Sequence, residues 1–179
     1  MLRFITITLT IAMAVSFLPG VAFGGGGFLL SLTGSSGASG DSFSSSALLS
    51  NSGGGDVQGW SFGVCSDPAA LSVDAANSGA DSETAKNGSP PDFNQISTFA
   101  EGATQGVVLC FTGCATIGDV TDFEMMTIDY TITGSSDTNI DYCDSLGSPP
   151  VNTDVVVNGA RLPPATTGAV VATITPNQV

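Results

Sequence analysis

The sequence of 179 residues contains no histidine, and its Lys and Arg together number three against 16 acidic residues. Without histidine, neither a Ser–His nor a Cys–His nucleophile pair can form. The formal net charge of −13 disfavours binding to nucleic acid and to anionic membranes. The sequence also lacks a P-loop and the glycine fingerprint of a dinucleotide site. These absences predict a protein that is not an enzyme.

The first 24 residues have the pattern of a secretory signal peptide. One basic residue, Arg3, precedes an apolar run at 4–18, and Pro19 ends that run. Hydroxyl residues interrupt the run, and a membrane span needs about 20 mostly apolar residues, so a membrane anchor is the weaker interpretation. We therefore predict one domain at 25–179, secreted or held at the cell surface. Removal of Arg3 would bring its net charge to 2 − 16 = −14.

Four cysteines follow in the mature chain, and they are Cys65, Cys110, Cys114 and Cys143. Four cysteines in a secreted chain predict two disulfides. A zinc site is the weaker interpretation, because the spacing is not Cys-x2-Cys and no histidine is present. Four cysteines allow three connectivities, and their spacing alone does not choose among them.

The chain is rich in Gly, Ser, Thr and Asn, and several segments alternate between apolar and polar residues. In "FEMMTIDYTIT", apolar side chains occupy every second position from 126 to 132, as in a half-buried strand. Turn-forming clusters separate ten such segments, which indicates an all-β antiparallel sandwich. The predicted strands are 28–33, 42–51, 58–66, 70–76, 93–100, 104–113, 123–133, 138–144, 153–160 and 168–175.

Trp60 is the only tryptophan, and it lies in the predicted strand at 58–66. Its side chain would share a face with Phe62 and Val64, while small residues occupy the opposite face. This pattern predicts that Trp60 is part of the core. The alternative is a sugar-stacking platform, which needs several aligned exposed aromatics. The other candidates for such a platform are Phe93, Phe99 and Tyr142.

Three carboxylates cluster in "GDVTDFE", namely Asp119, Asp122 and Glu124. A glycosidase needs only two carboxylates, but this run is better explained as a junction between a loop and a strand. Calcium takes six to eight oxygen ligands, and neither "GDVTDFE" nor "DTNIDYCD" has the spacing of an EF-hand loop. We therefore expect no cofactor, with Ca²⁺ as the weaker alternative.

The stretch "GDSFSSSALLSNSGGGDVQGWSFGVCSDPAAL" resembles the first half of a cohesin domain. The resemblance depends on Gly40-Asp41, Asn51, Gly59-Trp60 and an Asp67-Pro68 turn before Leu71. It extends over 27–175. Departures from the family pattern are the serines at 44–46 and 66 and the four cysteines. The resemblance implies an antiparallel jelly-roll β-sandwich of about nine or ten strands, a fold that cohesins share with cellulose-binding modules.

Cohesins bind dockerins through the face of one sheet, and the resemblance places 58–66, 104–113 and 138–144 in that sheet. The side chains that would form the binding face are Ser61, Gly63, Asn94 and Asp141. Cys65 lies on the same face of its strand as Ser61 and Gly63. If Val107, Leu109 and Phe111 point into the core, Cys110 lies on the outer face, and Cys143 does so if Ile140 and Tyr142 point inward. This arrangement favours the disulfides Cys65–Cys143 and Cys110–Cys114.

The resemblance thus implies a non-catalytic, secreted module that binds an extracellular protein, of the dockerin type or another. One alternative is a carbohydrate-binding module with the same fold, whose partner would be a polysaccharide. Another is a structural subunit of a surface layer or extracellular fibre, which would self-associate.

Overall fold

The structure is a computed structural model that describes residues 27–173. The predicted signal peptide at 1–24 lies outside this range, as does the end of the last predicted strand at 168–175. Among residues 27–173, no helix is long and apolar enough to cross a membrane. The described residues form thirteen strands and one 3-10 turn at Ser82–Thr84: β1 Phe28–Leu32, β2 Ser35–Gly37, β3 Ser42–Asn51, β4 Val57–Ser66, β5 Leu71–Ser78, β6 Phe93–Phe99, β7 Gly102–Val108, β8 Val120–Ile132, β9 Thr138–Cys143, β10 Asp154–Val157, β11 Ala160–Leu162, β12 Ala165–Thr167 and β13 Ala169–Thr173.

The strands form two sheets, and the predicted β-sandwich is confirmed. Its pairing is antiparallel as predicted except at β1 with β12 and β2 with β13, which are parallel. Sheet I has the order β12-β1-β3-β8-β5. Sheet II is built around β4: one edge of β4 pairs with β7, which pairs in turn with β6. The opposite edge is shared, because β10 pairs with the first half of β4 and β9 with the second half. Strands β11, β13 and β2 complete sheet II.

The core lies between the two sheets and contains the inward side chains predicted from strand alternation. Trp60, Phe62 and Val64 of β4 are all buried, and only 1% of Trp60 is exposed. The Trp60 ring meets Phe123 of sheet I edge to face, with ring centroids 5.8 Å apart. Trp60 is therefore a core residue, as the sequence predicts, and the buried position excludes it from any sugar-stacking platform.

The indole of Trp60 also has a buried hydrogen-bond partner that the sequence did not identify. Trp60 Nε1 donates to Gln105 Oε1 at 3.0 Å. Gln105 Nε2 in turn lies 3.0 Å from the carbonyl oxygen of Met125 in sheet I and 3.1 Å from Asn94 Oδ1. Because a buried polar group must be paired to avoid a large desolvation cost, this amide joins the two sheets at their centre.

The prediction missed three short strands, β2, β11 and β12. Strand β10 ends at Val157, and Asn158 and Gly159 follow with φ of 50° and 73°. Val157 pairs with Ala160, so these two residues form a tight hairpin turn into β11. An Asn-Gly pair between alternating apolar residues is a strong hairpin signal, and the prediction of one strand at 153–160 overlooked it.

Candidate functional site

The outer face of sheet II is formed by the side chains that alternate with the buried ones on β4 and its neighbours. Residues that pair across strands share a face, so the register defines four rows across the sheet. These rows are Phe93, Val108, Gly59, Val156 and Arg161; then Gln95, Gly106, Ser61 and Asp154; then Ser97, Thr104, Gly63 and Cys143; and finally Phe99, Gly102, Cys65 and Asp141.

The disulfide Cys65–Cys143 lies on this outer face and joins the neighbouring strands β4 and β9, with Cα atoms 5.9 Å apart. The loop 144–153 that follows β9 then folds back over the face. Its Leu146 is buried, and a Cβ built on Gly102 would lie 3.0 Å from Leu146 Cδ1. Part of the outer face is thus covered by the chain itself.

The second disulfide, Cys110–Cys114, closes a short loop directly after β7. Both disulfides pair as the sequence analysis favoured, but the position of Cys110 was predicted wrongly. Strand β7 ends at Val108 rather than at 113, because the chain turns into the loop closed by Cys110–Cys114, where Gly113 N–H bonds to the Cys110 carbonyl. The alternation therefore stops, Cys110 is buried, and Phe111 is 70% exposed instead of pointing inward.

The four predicted binding residues do not lie together on one open surface. Ser61 is half-buried and donates to the Asn152 carbonyl at 2.8 Å. Gly63 is buried on the outer side of β4, where a Cβ would lie 2.6 Å from the Cys143 carbonyl oxygen. Asp141 is exposed and lies two rows from Ser61, on the far side of the Cys65–Cys143 disulfide.

Asn94 was predicted on the outer face, and this prediction is wrong. It pairs with Val107, which itself pairs with Trp60, so all three side chains lie on the inner face. Its amide also donates to Ser78 Oγ of sheet I at 2.8 Å. Counting alternation from Phe93, which is exposed, would have placed Asn94 inward.

A groove of about 520 Å³ remains open on the outer face beside the covering loop. Its floor contains Ser61, Thr104 and Gly106. One wall is the β6 side, with Phe93, Gln95 and Ser97, and the other is the loop 149–152, with Arg161 also lining the groove. Of the four predicted residues, only Ser61 lines this groove.

The first row adds an exposed apolar surface next to the groove. Phe93 is 42% exposed and Val108 is 37% exposed, and they pair directly across β6 and β7. An adjoining depression of about 210 Å³ is lined by Val108, Val156 and Phe111 among others. We call Phe93, Val108 and Phe111 the apolar row. The alternation of β6 could have identified Phe93 as outward, whereas Phe111 depends on where β7 ends.

Two ion pairs lie beside the groove and the apolar row. Arg161 Nη1 lies 3.7 Å from Asp154 Oδ2, and its side chain is 72% exposed. Asp92, directly before β6, accepts from Lys86 Nζ and from the Phe111 amide. The Lys86 hydrogen bond is the main reason why the pKa of Asp92 lies below its ordinary value, with the Phe111 N–H as the second cause. Asp92 thus fixes the loop that carries Phe111.

The candidate carboxylates of "GDVTDFE" lie elsewhere and each has its own partner. Asp119 accepts from the Gly53 N–H at 2.8 Å, and Glu124 accepts from Ser46 Oγ at 2.7 Å. Asp122 interacts with Ser50. These contacts connect loops and strands on sheet I, which agrees with the interpretation of this run as a structural junction.

Comparison with known proteins gives matches at the level of structure only. No protein-family model matches the chain, and no curated protein matches it. Among solved structures, the third cohesin of ScaC from Acetivibrio cellulolyticus, in complex with the ScaB dockerin, matches with a TM-score of 0.64. It is 15% identical, and the match covers 83% of this chain and 99% of that one. The chain has a cohesin-like fold.

Other cohesins agree with this assignment. The OlpA cohesin of Clostridium thermocellum, solved with a dockerin, matches at a TM-score of 0.61 with 16% identity over 82% of this chain and 99% of its own. A non-cellulosomal cohesin from the archaeon Archaeoglobus fulgidus matches at 0.57 with 9% identity, over 84% and 93%. At these identities the likeness establishes the fold, so function has to be argued from the groove of this cohesin-like sandwich.

Proposed function

We propose that this chain is a secreted, non-catalytic module that binds an extracellular protein through the groove and the apolar row on sheet II. The observation that carries the proposal is the groove itself, because it lies on a rigid sheet between β6 and the loop 144–153. Two of the cohesins named above were solved in complex with dockerins, which supports a protein as the partner.

The chemistry of the surface favours a protein over a sugar. Exposed apolar side chains that lie together mark protein contacts, and aromatic anchors often dominate their binding energy. A carbohydrate platform would need aligned aromatics, but Trp60 is in the core and Tyr142 donates its hydroxyl to the Ser31 carbonyl of sheet I at 3.0 Å. Phe93 and Phe99 are on the same face at opposite ends of β6, six residues apart.

The charged side chains beside the groove indicate which chemical groups the partner presents to it. Arg161 is one of three basic residues in the sequence and lines the groove with a mostly exposed side chain. We expect a partner segment with apolar side chains for the apolar row and a carboxylate that replaces Asp154 beside Arg161. The proposed module needs no cofactor of its own. A dockerin-type partner would bring calcium in its own loops.

The test compares two forms of the 25–179 chain as bait for the secreted proteins of the host. The first is the natural sequence and the second carries Gly106→Arg. A Cβ at position 106 would have only Phe93 Cε1 nearby, at 3.8 Å, so the fold should tolerate the substitution while the arginine fills the groove. Ser135→Arg, in an exposed loop, is the control with the same change in charge.

We expect a protein that binds to the natural sequence and to Ser135→Arg but not to Gly106→Arg. Elution by a calcium chelator, with paired acidic calcium loops in the eluted protein, would identify a dockerin-type partner. A partner captured equally by Gly106→Arg would show that the groove is not the site. Capture of insoluble polysaccharide, with no protein partner, would overturn the proposal in favour of the carbohydrate-binding alternative.

A further inference from the structure

Strand β6 differs from the other edge strands of the described sandwich. Edge strands usually carry a charge, a proline or a bulge, or are very short, because their free main-chain groups otherwise pair with another chain. Strand β5 has a register shift next to Asp74, and β2, β11 and β12 have three residues each. Strand β6 has seven residues in unbroken register with β7 and contains no charge, proline or glycine.

The outer side of β6 has no hydrogen-bond partner within residues 27–173. Strand β6 pairs with β7 alone, and no other described residue bonds to its main chain. Leu109 N–H donates to the Gln58 carbonyl, so the odd-numbered residues of β7 direct their main-chain groups to β4 and its even-numbered residues direct theirs to β6. The even-numbered residues of β7 pair with Phe93, Gln95, Ser97 and Phe99, whose main-chain groups therefore point to β7. The free N–H and C=O groups therefore belong to residues 94, 96 and 98.

The sequence of β6, "FNQISTF", is nearly symmetric about Ile96. If two copies of β6 pair antiparallel around a two-fold axis at Ile96, each Phe93 lies opposite the Phe99 of the other copy. Asn94 then meets Thr98, and Gln95 meets Ser97. Pairs of this kind, aromatic with aromatic and polar with polar, stabilise antiparallel strands. A two-fold interface requires such self-complementarity.

We propose that the free edge of β6 binds the β6 edge of a second copy of this chain, which joins the two copies of sheet II into one continuous sheet. This inference goes beyond the proposed binding of a different protein in the groove. A second copy is the expected partner of this edge because, when two β6 strands pair about Ile96, each residue lies opposite a residue of similar chemistry.

The distribution of charge agrees with this choice. Two chains with a formal net charge of −13 repel each other over most of their surfaces. Strand β6 is uncharged, and the carboxylate directly before it, Asp92, is paired with Lys86. The copies can therefore meet at this edge without placing unpaired carboxylates of β6 opposite one another.

The experiment measures the mass of the 25–179 chain by sedimentation velocity over a range of concentrations, at low and at moderate salt. We expect the mass to double as concentration rises. Because Gln95 lies opposite Ser97 of the other copy, Gln95→Asp with Ser97→Asp places acidic groups against each other and should abolish the dimer. Gln95→Lys with Ser97→Asp places opposite charges in the same pairs and should preserve or strengthen it.

Ser135→Asp with Ser136→Asp adds the same negative charge in an exposed loop and should dimerise as the natural sequence does. Hydrogen exchange should slow on dimerisation at the free amides of residues 94, 96 and 98. A chain that stays monomeric at all concentrations overturns the proposal, and so does a dimer that the double aspartate variant leaves intact. Growth into open fibres instead of a defined dimer also overturns it.

Circular dichroism and thermal melting show that each variant is folded, so loss of the dimer cannot be confused with loss of the fold. The outcome is independent of the proposed function. Gly106→Arg alters the groove floor on β7 and leaves the free edge of β6 unchanged, so partner capture and dimerisation are measured separately.

Discussion

The outer faces of the two sheets differ in the chemistry of their side chains, although the strands of both sheets alternate between buried and outward residues. On sheet I, most outward side chains of β3 and β8 are serine, threonine and acidic residues, several of which bond to each other, and Leu48 is the apolar exception on β3. Ser44 donates to Asp129, Ser46 donates to Glu124, and Thr131 donates to Asp74 at 2.7 Å. These outward polar side chains are thus hydrogen-bonded to one another.

The outer face of sheet II has few such contacts and instead presents Gly106, Phe93 and Val108 beside a groove. Its polar contacts mostly attach the covering loop, as in the bond from Ser61 to Asn152. A polar face whose groups are already paired gains little from a partner, whereas exposed apolar side chains gain by being covered. This contrast supports the proposed binding surface on sheet II, and four experiments test the core behind that surface and the difference between the two faces.

The largest effect is expected from Trp60→Ala, which removes the aromatic that joins the two sheets behind the groove. Loss of a large buried aromatic costs about 3–5 kcal/mol in the free energy of unfolding. Chemical denaturation measures this loss. Phe111→Ala is the control, because that ring is 70% exposed, and it should change stability by less than about 0.5 kcal/mol. A Trp60→Ala loss below that of the control would contradict the core assignment.

The two disulfides should contribute unequally. The bridge Cys65–Cys143 joins residues 78 apart, whereas Cys110–Cys114 joins residues 4 apart. A disulfide that closes a longer loop removes more conformational entropy from the unfolded chain. Replacing the first pair by serine should therefore lower the free energy of unfolding by about 4 kcal/mol, and replacing the second pair by about 2 kcal/mol. Denaturation of both double serine variants provides the comparison, and equal losses would rule out this explanation.

A moderate effect is expected from Gln105→Met, which leaves the Trp60 N–H and the Asn94 amide without their buried partner. An unpaired buried donor costs about 1–3 kcal/mol. Combining it with Trp60→Phe removes both ends of the indole hydrogen bond, so the two losses should not add. Strict additivity in this double-mutant cycle would mean that the bond contributes little.

The smallest effect is expected on sheet I. Ser44→Ala removes one exposed hydroxyl that bonds to Asp129, and stability should change by less than about 0.5 kcal/mol. Partner capture should be unchanged, in contrast to Gly106→Arg on sheet II. Loss of partner capture by Ser44→Ala would instead indicate that the partner binds sheet I, which would contradict the contrast between the two outer faces.

Alternation along the chain was sufficient to predict the sandwich and much of its core. The inward positions of Trp60, Phe62 and Val64 follow from a period of two, because successive side chains of a strand point to opposite faces. The serines of β3 weakened the predicted strand, yet Ser44 and Ser46 bond outward to β8 and Ser45 donates inward to the Thr33 carbonyl at 2.7 Å. Cross-strand partners thus compensated for their low strand propensity.

The candidate site was predicted less well, because it depends on contacts between segments distant in sequence. Asn94 was assigned to the wrong face, since its orientation follows from pairing with Val107 rather than from its own segment. Strand β7 ends at Val108, and the loop that follows is held by the bond from the Phe111 N–H to Asp92 of another segment, which leaves Phe111 exposed.

The sequence by itself determined the all-β class, the inward face of β4 and the favoured cysteine pairs, because these follow from local alternation, cysteine count and family resemblance. Only the tertiary structure decided that the loop 144–153 folds over sheet II and leaves a groove rather than a flat face. That result depends on Leu146 and Asn152 reaching a sheet built from strands far away in the chain. Local patterns carry no information about which distant surface a loop will cover.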